Sequence, residues 1–163
     1  MLGIAHFGLE KYHVAGHHSG ASIAIEMAAV YPERVLSLTV IGPALLTPEE
    51  QATFIAKDVS VGPYNEPIMS GTHMQKTWDL LLTNGVWEVT DLQEQTLDAL
   101  RAWKGRIQIY TCVFTQPVLE VFKSIKCPVL GLCAADDSLY PQFPRVKELV
   151  SISVLRNLQS ALC

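Results

Sequence analysis

The chain has 163 residues, 49% hydrophobic and 17% charged, a composition that supports one globular domain with a buried core and excludes a disordered polymer. Its net charge of −4, with 12 Lys and Arg set singly along the chain, offers no basic stripe for a phosphate backbone, so no nucleic-acid partner is expected. No apolar run reaches the ~20 residues of a bilayer span, and neither end carries a signal peptide or a lipidation box. The four cysteines form no CxxC pair, and Cys127 and Cys133 border and occupy an apolar run as buried hydrophobes do. A soluble, cytoplasmic protein with no membrane partner is the expectation.

Residues 1–8, "MLGIAHFG", read as the end of a helix closed by Gly8. "KYHVAG" follows as a short strand and "SGASIAIEMAAVYPERV" as a helix that stops at Pro32. "VLSLTVIG", residues 35–42, is a β-branched and Leu run of the kind covered on both faces in a parallel sheet. Strand, helix and strand make one right-handed crossover unit. The next sixty residues are helical stretches with N-caps at Thr47 and Thr90 and stops at Gly85 and Gly105. After "IQIYTCVFTQPVLEVFKSI", also helical, "CPVLGLCAADDSLYP" returns to the buried-strand pattern and ends in two carboxylates. A helix is expected after Pro144, and the tail "LRNLQSALC" has no evident partner.

These stretches carry a family resemblance. "YHVAGHHSGASIAIEMAAVYPERVLSLTVIGPA" resembles the nucleophile strand, elbow, helix and next strand of the α/β-hydrolase superfamily, in its lid-bearing small-molecule type, and "IKCPVLGLCAADDSLYP" resembles the strand carrying the triad acid. The resemblance implies a partial α/β-hydrolase fold: a parallel sheet with flanking helices and a helical lid insertion. Residues 1–44 would hold the elbow strand, helix and next strand, 45–122 the lid, and 123–163 the acid-bearing strand and a C-terminal helix. The small-x-nucleophile-x-small pattern on "GHHSGA" puts Gly16 and Gly20 at the small positions and His18 at the nucleophile position. Ser19 follows the tip, where the family's oxyanion-hole amide sits; its hydroxyl as nucleophile is the second reading, because it would force His17 into a small position.

The family's D-x-x-x-P acid loop matches Asp137 to Pro141, so Asp137 is the candidate acid and Asp136 is left structural. The family also needs a histidine after the acid, and none follows Asp137; the last is His73, in the lid. Earlier strands of the family sheet would lie before Met1, so the chain is expected to be a piece, roughly 60% of a ~250-residue domain.

Bland readings stand beside these. His18 is either a general base oriented by Asp137 or a pocket-lining remnant. Ser19 is either a hydroxyl nucleophile or the cap of its helix. Asp137 competes with plain turn chemistry. His73 is expected at the surface or a hinge, and Trp78, Trp87 and Trp103 in the lid core, one of them available to line a pocket. His17 and His18 are adjacent, with no third ligand at ligand spacing, so no metal is expected; neither a P-loop nor a dinucleotide fingerprint is present, so no cofactor is expected.

The resemblance implies hydrolysis of a small-molecule ester, lactone or thioester, in secondary metabolism, with a small-molecule substrate between sheet and lid. Two other readings stay open: a truncated non-catalytic paralogue or binding remnant, and a cofactor-independent isomerase or lyase using a His–Asp pair. The sequence permits a homo-oligomer without specifying one.

Overall fold

The computed structural model describes residues 6–59, 65–83, 85, 88–150 and 153–158. Most of the helix end expected at 1–8, Trp87 and Cys163 lie outside them.

Four strands form one parallel sheet in the order β1 (Tyr12–His17), β2 (Val35–Ile41), β3 (Val129–Ala134) and β4 (Ser153–Leu158). Helix α1 (Ser19–Val30) makes the crossover from β1 to β2, and its run of small residues is what lets it lie close to the strands. Ala21, Ala24, Ile25 and Ala28 of α1 are buried in one cluster with Leu38 and Val40 of β2 and Val129 and Cys133 of β3. The same cluster takes Val118 and Phe122 from α6 (Val118–Lys123) and Val146 from α7 (Arg145–Leu149).

Coverage of the sheet is less even than the apolar runs suggest. Leu38 and Val40 are fully buried, but Thr39 and Ile41, which point to the opposite face, are only half-buried.

β4 corrects the sequence reading. The expected C-terminal helix stops at Leu149, and the residues left without a partner contribute a strand in register with β3, Val129 opposite Ser153 through Ala134 opposite Leu158. Its outward residues Val154 and Arg156 are exposed, so the strand lacks the apolar run that marked β2 and β3.

The chain divides into two compact units: residues up to Glu50 with those from Gln116 onward, which hold the sheet, and Gln51–Thr115, which is helical among the described residues. The expected lid, 45–122, is wider at both ends. Val118 and Phe122 belong to the sheet core, and Glu50 is clamped to α7 by Arg145, whose Nη1 donates to Glu50 Oε2 (2.6 Å) and to the Leu45 carbonyl (2.7 Å) while Nη2 donates to Oε1 (3.0 Å). These bonds, Arg145 foremost, hold the Glu50 carboxyl far below the usual range, at about 2. Thr47 is the expected cap of α2 (Pro48–Phe54): its hydroxyl accepts from the Glu50 amide while its own amide donates to Glu50 Oε2, the reciprocal pair of a capping box.

The helical unit contains the end of α2, a π-helical turn (Ile55–Val59), α3 (Thr72–Thr83), α4 (Val89–Arg101) and α5 (Trp103–Thr115). Phe114 anchors it, with Phe54 and Tyr110 at ring-centroid distances of 5.2 and 5.5 Å. Asn65 is fully buried and its side-chain amide donates to the Ala99 carbonyl. Two punctuation readings are corrected here. Gly105 lies inside α5 rather than ending a helix, and Thr90 is the second residue of α4, whose cap is Glu88. Trp78 and Trp103 are half-buried, outside the set that is fully enclosed.

Candidate functional site

The carboxyl ends of β1, β2 and β3 each deliver one component of the site. β1 ends at His17 and α1 begins at Ser19, so His18 alone turns the chain from strand to helix. It does so with φ 46° and ψ −113°, the single positive φ among described non-glycine residues. Such a conformation costs about 1–3 kcal/mol and persists only where surroundings enforce it. Here the His18 amide donates to the Ile41 carbonyl of β2 (2.9 Å), and its carbonyl accepts from the amides of Ala21 (2.9 Å) and Ser22 (3.4 Å).

The two small positions around this turn are not equivalent. A Cβ on Gly16 would collide with the Gly20 carbonyl and lie 2.6 Å from the Ala21 amide nitrogen, all of it backbone that cannot rotate away. A Cβ on Gly20 would meet nothing within 4 Å. The steric argument for small residues therefore holds at Gly16 and fails at Gly20.

β3 ends at Ala134, and the following turn places Asp137 against the histidine: His18 Nε2 lies 2.8 Å from Asp137 Oδ2, across 119 residues of sequence. The Asp137 side chain is 4% exposed and that of His18 33%. Its other oxygen, Oδ1, accepts from the Leu139 amide at 2.8 Å, so the carboxylate is fixed from both sides. Where the carboxylate accepts, His18 Nε2 is the donor of this contact, and in a neutral imidazole the lone pair then lies on Nδ1. Asp136, one residue earlier, is exposed. Asp137 also helps raise the thiol of buried Cys133 to about 11, after the larger effect of burial, and keeps that thiol protonated near neutral pH.

β2 is followed directly by Gly42, a component the sequence reading missed. Its φ is 52°, its amide donates to the Leu132 carbonyl of β3 (2.9 Å), and a Cβ there would lie 2.6 Å from both Asp137 Oδ2 and His18 Cδ2 and 2.8 Å from His18 Nε2. The pair can close only because this position has no side chain. The signal in the sequence was the dipeptide Gly42-Pro43 at the end of a buried run, which marks a turn but not the cleared space above it.

His17 joins the group unexpectedly. Consecutive strand side chains diverge, but the positive φ at His18 brings the two imidazoles to 4.2 Å between centroids, tilted by 36°. Although His17 is exposed as a residue, partial burial of its ring and then the neighbouring His18 push it below the usual histidine range, only partly offset by Asp137. One ligand atom from each of His17, His18 and Asp137 lies within 4.8 Å of the others, so the third ligand that sequence spacing denied is supplied by the fold.

Ser19 is the first residue of α1, not its cap; the cap is His18, which makes no side-chain capping bond. Among the described residues the Ser19 hydroxyl bonds to neither histidine. His73 lies in the helical unit, where Nδ1 accepts from the Ile68 amide at 3.4 Å.

No protein-family model matches the chain, and no curated protein matches it in sequence. Solved structures do match in three dimensions. A hydrolase from Pseudomonas aeruginosa superposes with a TM-score of 0.68 at 14% identity, over 96% of this chain and 60% of that one. An esterase from Exiguobacterium antarcticum gives 0.69 at 14% identity, over 96% and 61%. The enol-lactonase from Burkholderia xenovorans gives 0.60 at 14% identity, over 96% and 60%. The fold is that of the α/β-hydrolases. The chain spans about 60% of the length of these structures. In this α/β-hydrolase sheet the His18–Asp137 pair sits at the carboxyl ends of the strands, where open α/β sheets bind their ligands. None of the helices among the described residues is long and apolar enough to cross a membrane.

Proposed function

We propose that the chain supplies the base and acid of a hydrolase that acts on a small-molecule ester, lactone or thioester of secondary metabolism. The observation that carries the reading is the 2.8 Å contact of His18 Nε2 with a carboxylate that is itself buried and pinned by the Leu139 amide. Asp137 holds the imidazole with Nε2 protonated, leaving Nδ1 as the free base. A water attacks the acyl carbon as His18 Nδ1 removes its proton; the carbonyl electrons move onto oxygen. The Ser19 amide, the first of α1, would donate to that oxyanion. When the intermediate collapses, the leaving alkoxide or thiolate takes the proton back from Nδ1. The turn at His18 is the fold's nucleophile elbow on this reading, with water in place of a side-chain nucleophile.

A second reading has one observation in its favour. The pair joins a base to its orienting acid, yet the Ser19 hydroxyl is bonded to neither histidine, a set sufficient for proton transfer without acyl chemistry. In an isomerase or lyase of this kind His18 Nδ1 would take a proton from carbon.

A panel of p-nitrophenyl esters and lactones, assayed with a metal chelator present, tests the first reading. Hydrolysis by the parent chain and its loss in His18→Ala are expected, with no labelling of Ser19 by a serine-reactive phosphonate. Labelling of Ser19 would make serine the nucleophile and sink the water mechanism; a cooperatively folded protein that turns over no ester would leave proton transfer or ligand binding alone.

A further inference from the structure

We propose that His17, His18 and Asp137 together form a binding site for one divalent transition-metal ion, zinc in the first place, because the strained turn at His18 draws two adjacent imidazoles onto the same buried carboxylate.

The geometry meets the first requirement, convergence of donors. The rings lie 4.2 Å apart, Asp137 Oδ2 is 2.8 Å from His18 Nε2, and one donor atom per residue falls within 4.8 Å of the other two. Zinc bonds to nitrogen and oxygen are about 2.0–2.2 Å, which sets donors on a tetrahedral ion roughly 3.4 Å apart. The widest separation must therefore close by about 1.4 Å, and the shortest must open by about half an ångström. His17 supplies the closing movement: it is exposed, so its ring can turn without disturbing the core.

Donor chemistry selects the ion. Two imidazoles and one carboxylate suit zinc, cobalt or nickel, whereas magnesium and calcium require oxygen donors throughout. Asp137 carries the outer support such sites use, since the Leu139 amide fixes Oδ1 and leaves Oδ2 to reach the metal. Exposure grades from 4% at the Asp137 side chain through 33% at His18 to an open His17, so the site is closed on the protein side and open on the other. Three protein donors and an open face leave at least one coordination position for water or for an anionic ligand. Gly42 again matters, because a Cβ there would fill the space between His18 and Asp137.

Metal binding and the hydrogen-bonded pair are alternative uses of the same atoms. An ion held by His18 and Asp137 takes the position of the proton shared by Nε2 and Oδ2. The inference goes beyond the hydrolytic reading and does not depend on it.

The test titrates the full 163-residue chain, freed of metal by chelator and dialysed, with zinc in competition with a chromophoric chelator, and follows cobalt uptake by its visible absorption. Saturation at one ion per chain is expected. His17→Ala and Asp137→Asn should each weaken binding at least about tenfold, while His13→Ala and His73→Ala leave it unchanged. Because Asp137→Asn can disturb folding, a second readout uses the unsubstituted protein: zinc should shift the imidazole NMR signals of His17 and His18 and leave those of His13 and His73 in place. No saturable binding, affinity retained in His17→Ala, or shifts spread evenly over all histidines would overturn the proposal. None of these readings involves a substrate, so they stand or fall separately from the ester assay.

Discussion

Replacing Gly42 with alanine asks whether the His18–Asp137 pair depends on an empty position at the end of β2. Two costs act together. The left-handed φ of 52° disfavours any Cβ by about 1–2 kcal/mol. The new methyl would lie 2.6 Å from Asp137 Oδ2 and from His18 Cδ2, well inside van der Waals contact, so the pair must open. Losing a hydrogen bond to a charged, buried carboxylate costs about 1.5–3 kcal/mol. The sum is a destabilisation of roughly 2.5–5 kcal/mol, moderated if the backbone yields. Urea unfolding of the parent chain, Gly42→Ala and Gly20→Ala measures it, with the imidazole NMR signal of His18 reporting whether the pair survives. Gly20→Ala is the control: open space surrounds that position and it lies within α1, so alanine there should be neutral or stabilise by up to ~1 kcal/mol. A Gly42→Ala protein within about 0.5 kcal/mol of the parent, with an unmoved His18 signal, would refute the reasoning.

Glu50 gives a pH dependence with a definite sign. Its carboxyl is lowered from the ordinary value of 4.5 to about 2 by Arg145 and the Thr47 amide, so the stability it contributes is complete above about pH 5 and is lost as pH falls toward 2. The difference in urea midpoint between the parent and Glu50→Gln should be largest near neutral pH and should shrink between about pH 4.5 and 2; a difference that does not change over this range would contradict the clamp. Phe122→Ala, at a fully buried position shared by α6 and the sheet, should cost about 3–5 kcal/mol by thermal or urea unfolding. In a Cys163→Ser background, a thiol reagent should label exposed Cys112 in the native protein and reach Cys127 and Cys133 only on unfolding, since both are buried and burial raises both thiols.

Sequence alone revealed the strand, turn, helix and strand of residues 12–42 because the elements obey strong local rules: a small-residue helix against a sheet and β-branched runs for buried strands. Asp137 was singled out from its loop, and the fold places it against His18. β4 was not, since Val154, Arg156 and Asn157 face solvent and an edge strand needs no apolar run. Gly105 was misread because packing of α5 outweighs the ~1 kcal/mol preference of glycine against helix. His17 and Gly42 escaped for a different reason. What each does depends on backbone torsions at a turn, φ 46° at His18 and φ 52° at Gly42, and these bring together atoms that strand periodicity holds apart.

The central claim is that Asp137 acts through His18, and a double-mutant cycle on kcat/KM addresses it most directly. The parent chain, His18→Ala, Asp137→Asn and the double variant would be assayed on the best ester or lactone with chelator present. His18→Ala is expected to lose about 10²–10⁴ in rate, and the double variant to be no slower than His18→Ala alone, since an acid that only orients an imidazole has nothing left to orient. Losses that multiply in the double variant, or turnover undiminished in His18→Ala, would contradict the account.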